Sequence, residues 1–171
     1  MRGSRSPARS APVHARCPEC GGALPATGDC WTRLHELLEI ETRVLPALEP
    51  EAGMRAHFFA VATYQLQHPS RLTRETLDRL HAAVDEMTGP GAPPIAHLRR
   101  EMGRFAAGSR KVTRSAPPTD RSHIDKRWPV SWSVTAQGVT ERPESEYPDA
   151  VGRWAVATLA DLRVALAATS R

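Results

Sequence analysis

The chain has 171 residues, 40% of them hydrophobic, with fifteen prolines, a mean hydropathy of −0.43 and a net charge of +4. That is enough for one domain with a sizeable core, and part of the chain is expected to lie outside it. No run of about 18 apolar residues occurs, so no membrane span is expected, and residues 1–16 lack the apolar middle of a secretory signal, which makes a cytoplasmic location the expectation.

The charge is unevenly placed. Residues 1–16 carry four arginines and no acid, 17–98 carry six basic and eleven acidic side chains, 99–127 carry nine and three, and 128–171 carry four and five. Positive charge therefore belongs to a tail and a linker, not to the patterned body. Such a tail can bind nucleic acid electrostatically, but without reading its sequence. A solvated arginine-rich terminus is the simpler reading.

Residues 1–16 have no periodicity and read as a disordered basic tail; residues 17–171 read as a single helical domain. Residues 17–29 are dense in turn residues, with Pro18, Gly21, Gly22, Pro25 and Gly28. Asp29 suits the N-cap of a first helix over Cys30 to Leu45, with Trp31, Leu34 and Leu38 as its apolar stripe. Pro46 and Pro50 bracket a short connection to a second helix over Glu51 to His68. Met54, His57, Phe58, Val61, Tyr64, Gln65 and His68 share one side of it, and Pro69 ends it. So short a connection makes the pair an antiparallel hairpin.

A third helix is expected over Thr73 to Met87, striped by Leu77, Leu80, Val84 and Met87. A fourth starts at Pro93-Pro94 with Ile95, Leu98, Met102 and Phe105. Residues 108–127 read as a linker or loop. Trp128 to Val134 alternates at period two and reads as a short extended segment, which Pro129 confines to an edge or to isolation. A last helix is expected over Asp149 to Ala168. The fold class is thus mainly α: about five helices in a bundle, with a knuckle-like N-terminal loop and one extended segment.

Cys17-Pro18-Glu19-Cys20-Gly21-Gly22 has the outline of a zinc knuckle. Two thiolates on a tight turn can face one tetrahedral ion, and the glycines let backbone amides approach the sulfurs. Cys30 follows at the first turn of a helix, where a thiolate is favoured. Three cysteines in a chain without an export signal favour metal over a disulfide, and a CxxC redox site would need a βαβ context that is absent.

A structural zinc site needs a fourth ligand. His57 and His68 share a helix face but are about 16 Å apart along its axis, too far for one ion. With the hairpin turning near residue 48, Cys30 and His68 come level. The expected Zn2+ ligands are therefore Cys17, Cys20, Cys30 and His68, although a histidine there could instead satisfy the last carbonyls of its helix. His57 reads as a buried, hydrogen-bonded histidine, or as a general base or second-site ligand. His35 falls within a helical turn of it across the hairpin, so His35, His57 and Tyr64 are the candidates for a second, catalytic polar centre. His81 reads as a core-edge histidine, and His14, His97 and His123 have no supporting context.

The strings CPECGG, DCW, LHELLEIE and YQLQHPSR resemble an uncharacterised, mainly actinobacterial domain-of-unknown-function family. Its features are an N-terminal CxxCG knuckle, a GCW or DCW helix start, a helix ending in QHP and a final helix with a Trp-Ala pair. The matching positions here are Cys17, Cys20, Cys30, Trp31, His57, Gln67, His68, Pro69, the stretch Trp132 to Val139, and Trp154-Ala155, spanning about residues 16–165. The stretch from Ser133 to Val139 departs from the family's usual string. The resemblance implies a metal site and a helical fold, and no reaction.

Three functions compete. One is a non-catalytic, zinc-stapled interaction or regulatory module with a protein partner. Another is a metal- or histidine-dependent enzyme with an interhelical pocket around His35, His57 and Tyr64. The third is a nucleic-acid-binding accessory protein. The chain has no Walker loop, Rossmann glycines, HExxH or nucleophile elbow, which removes the commonest enzyme classes. A closed Cys3His set leaves no coordination position for water, which favours the first. Oligomeric state has no signature in the sequence.

Overall fold

A computed structural model describes residues 15–98, 100 and 130–169. Among these residues the regular structure is helical, with no strand. Four long helices stand out: α1 Cys30–Val44, α2 Pro50–Gln67, α3 Arg74–Thr88 and, near the C-terminus, a helix over Tyr147–Thr169. Residues 95–98 are helical, and a short α4 spans Ala136–Thr140; the helix over Tyr147–Thr169 is therefore α5. Of the five helices expected, four have long counterparts. The continuation of the remaining one through Met102 and Phe105 lies outside the described residues, as do residues 1–14 of the tail, the 108–127 linker, and Trp128 and Pro129.

Local chemistry sets the helix ends. The Asp29 carboxylate accepts from Trp31 N at 2.9 Å and opens α1. Pro50 occupies the first position of α2, where its missing N–H costs nothing. Thr73 Oγ1 accepts from Thr76 N at 3.2 Å and caps α3.

Helix α2 is the central element: it packs on α1 and α3 and most extensively on α5. It buries the expected side only near its C-terminal end, where Tyr64 and His68 are covered. Gly53, Ala56, Phe59, Ala60, Thr63, Leu66 and Gln67 are also buried, whereas Met54, Phe58 and Val61 are only partly covered and His57 is exposed. Large side chains dominate a hydrophobicity pattern, but the small residues are what let α5 come close. Trp154, Val151, Ala155 and Leu159 of α5 fill that contact and are essentially inaccessible.

The described part of the expected extended segment, residues 130–134, forms no strand, and no strand lies beside it among the described residues. Residues 130–134 are instead held by side chains: Ser133 N donates to Asp161 Oδ2 at 2.7 Å, and Val134 O accepts from Gln67 Nε2 at 2.8 Å. Residues 15 and 16, expected in the tail, are hydrogen-bonded to the loop that follows. Arg16 pairs with Ala23 in an isolated antiparallel bridge, and Leu24 N donates to Ala15 O at 2.8 Å, so residues 15 and 16 belong to the knuckle. No helix among the described residues is long and apolar enough to cross a membrane.

Candidate metal centre

Residues 17–22 form a tight loop because Cys17 N donates to Gly22 O and Gly21 N donates to Cys17 O, both at 2.9 Å. Gly21 sits at φ 71, in the left-handed region that favours glycine. At Gly22 a Cβ would come within 3.1 Å of Thr135 Oγ1 and 3.4 Å of Cys20 Sγ, so a side chain there would press residue 135 and the Cys20 sulfur outward. The loop is also tied down from outside. Glu19 accepts from Ser70 N and Ser70 Oγ at 3.0 and 2.8 Å, Trp132 Nε1 donates to Glu19 O at 3.3 Å, and Ala23 N donates to Gln137 Oε1 at 3.0 Å.

The knuckle brings Cys17 and Cys20 to Cys30, at the start of α1, and His68, at the end of α2. The four donor atoms all lie within 4.8 Å of one another. Cys20 Sγ is 3.5 Å from Cys30 Sγ, and His68 Nε2 is 3.6 Å from Cys17 Sγ and 3.1 Å from Cys30 Sγ. Bonds of about 2.3 Å to sulfur and about 2.0 Å to nitrogen in a tetrahedron put sulfurs about 3.8 Å apart and sulfur and nitrogen about 3.6 Å apart. The cluster is close to that size. Relative exposures of 6% for Cys17, 3% for Cys20, 8% for Cys30 and 6% for His68 make it a nearly closed set. The three cysteines are free of disulfides.

Further contacts orient the imidazole. His68 Nδ1 donates to Tyr64 O at 2.7 Å, which leaves Nε2 as the nitrogen facing the sulfurs. The Tyr64 ring stacks on that of His68 at 4.0 Å, and Trp31 meets Tyr64 edge-on at 5.8 Å.

Packed this closely, the four groups shift one another's protonation. Hydrogen bonds from Cys20 and Cys30 hold the Cys17 thiol far below its ordinary range, while hydrogen bonding with Cys17 and Cys20, then burial, push Cys30 far above it. Burial opposes charge on His68, but its hydrogen bonds to the Cys17 and Cys20 sulfurs outweigh that and push it up to about 10. Three thiols this close in a dry pocket cannot all ionise unless positive charge sits among them. The Cys3His group can therefore hold a metal ion.

The chain belongs to the family of unknown function DUF5946. That family matches residues 15–163, which takes in the whole knuckle, α1–α4 and most of α5. No curated protein and no solved structure matches the chain.

The three residues named as candidates for a catalytic centre have different surroundings. His35 is exposed and meets Trp31 edge-on at 5.5 Å, and Tyr64 belongs to the Cys3His surroundings. His57 instead turns to Glu41 of α1, its Nδ1 2.7 Å from Glu41 Oε2. Its side chain is 55% exposed, not buried, whereas that of Glu41 is 6% exposed. Tyr147, at the start of α5, donates its OH to Glu41 Oε1 at 2.8 Å. Sequence reasoning missed both partners. Glu41 lies outside the apolar stripe of α1, and it is buried with its carboxylate against Tyr147 of α5, a contact that no local pattern signals.

Proposed function

We propose that this protein is a small zinc-binding helical module whose Cys17, Cys20, Cys30 and His68 form a structural site, and that it acts through protein contacts rather than catalysis. One observation carries this reading: four buried donor atoms within 4.8 Å of one another, with the second nitrogen of His68 spent on Tyr64 O. Three thiolates and one imidazole suit Zn2+ in a closed tetrahedron. The ion would cross-link the knuckle and the nearby start of α1 to the end of α2, 38 positions beyond Cys30. In a domain of this size that link holds the open end of the helix hairpin together.

The charge distribution supports a protein partner over a nucleic-acid one, since the patterned body from 17 to 98 is acidic. Affinity for nucleic acid through the basic segments should be unspecific and fall steeply with salt. One observation favours a second, enzymatic reading. A cavity of about 430 Å³ adjoins the cluster and is lined by Cys17, Cys30 and His68 together with Trp31, Tyr64 and Gln65. If a small molecule reached the ion there, the site would be chemical rather than structural.

Elemental analysis of reduced, chelator-free protein tests the main reading. About one zinc per chain is expected. Less than about a tenth of an equivalent, with all three thiols titratable, would contradict it.

A further inference from the structure

The QHP string places a second polar side chain directly beside His68. Gln67 is fully buried, and its Nε2 donates to Val134 O and to Thr158 Oγ1, both at 2.8 Å. A carbonyl can only accept, so Val134 fixes which end of the amide is the nitrogen. Gln67 Oε1 is then an acceptor with no partner; of the four other described buried atoms in that condition, Arg33 Nε and His81 Nε2 lie on α1 and α3, and Thr63 Oγ1 and Trp154 Nε1 on α2 and α5.

The helix register sets Thr63, Gln67 and Trp154, which carry three of these atoms, close in level on one interface. Glu41 takes both His57 of α2 and Tyr147 of α5, and Gln67, further along α2, meets Thr158, further along α5. The two helices therefore run in the same direction. Thr63 lies one turn before Gln67, and Trp154 one turn before Thr158, so these two come level on the same interface. Thr63, Gln67, Trp154 and Thr158 are each fully buried.

The unmet groups are complementary to one molecule of water. Trp154 Nε1 can only donate, Gln67 Oε1 can only accept, and Thr63 Oγ1 can accept. Internal waters characteristically make about three hydrogen bonds to polar groups that would otherwise go unpaired. We propose that α2 and α5 enclose an internal water-binding site between Trp154, Gln67 and Thr63. The water accepts from the indole and donates to the amide oxygen and the hydroxyl. It completes a polar layer that fixes the register of α5 and of residues 130–134 on the helix carrying His68. The site does not depend on which metal the Cys3His group holds.

A high-resolution crystal structure of the full, metal-loaded chain tests it. A density peak about 2.7–3.2 Å from all three atoms is expected. No peak there, or the three atoms paired with one another, overturns the proposal. Stability of the same protein gives an independent reading. Thr63→Val keeps the shape but removes the hydroxyl, and should lower the folding equilibrium constant roughly five-fold or more, whereas Thr63→Ser should lose less. A Thr63→Val variant as stable as the parent or more so would mean that the hydroxyl is an orphan, and would overturn the proposal too.

Discussion

His68 Nε2 lies 3.1 Å from Cys30 Sγ, although 38 positions separate them in sequence. The contact closes the open end of the α1–α2 hairpin, opposite its turn. His57 sits on the same helix but faces Glu41, so the two histidines have separate tasks. His68→Ala should lose the metal and cost several kcal/mol, because structural zinc binding is coupled to folding. His57→Ala should keep the metal and cost about 1 kcal/mol, since its imidazole is half in solvent. Metal content and urea unfolding of both variants check this. Loss of metal from His57→Ala alone would contradict the hairpin register.

Tyr147 supports the other end of the hairpin. Its ring is buried, and its OH reaches the buried Glu41 carboxylate. Burial, then the Glu41 charge, raise the phenol well above its ordinary range, so it stays protonated and donates. Tyr147→Phe leaves the ring in place but removes that donor, and should cost about 1.5–3 kcal/mol, the range for hydrogen bonds to charged groups. Unchanged stability in urea would show that Glu41 is satisfied without it.

The His57–Glu41 pair makes stability depend on pH. The hydrogen bond to Glu41 raises His57 above its ordinary 6.5, against the opposing effect of burial. A pKa raised on folding means that the protonated form stabilises the fold. The contribution is complete below the unfolded-state value and disappears as pH rises through the folded-state value. The stability gap between wild type and His57→Gln should therefore be wider at about pH 5.5 than at about pH 8.5. Comparing the two at each pH cancels acid effects on the Cys3His group, which they share. A gap that widens with rising pH would contradict the pairing.

Much of the site was legible because its signals are local or follow from simple geometry. CxxC spacing, a cysteine at a capped helix start and a proline after His68 are local, and the hairpin register needs only a short turn. The four residues do come together. What could not be read depends on a helix more than 80 residues away in sequence. Contact with α5 buries the small-residue face of α2 rather than the side bearing Met54, Phe58 and Val61. The same helix supplies Tyr147, which helps enclose Glu41, and Thr158, which engages Gln67. The extended segment expected over Trp128 to Val134 has its described part, residues 130–134, outside any strand. Alternation shows that a segment can extend, but not whether a strand lies beside it, and here side chains such as Gln67 and Asp161 hold it instead.

X-ray absorption at the metal edge of the purified, reduced protein tests the central claim most directly, because it counts ligands whatever the fold does around them. The account predicts a first shell of three sulfurs at about 2.3 Å and one nitrogen at about 2.0 Å, with no oxygen. A shell with two or fewer sulfurs, or one containing a bound water facing the cavity beside Trp31 and Tyr64, would contradict a closed structural site.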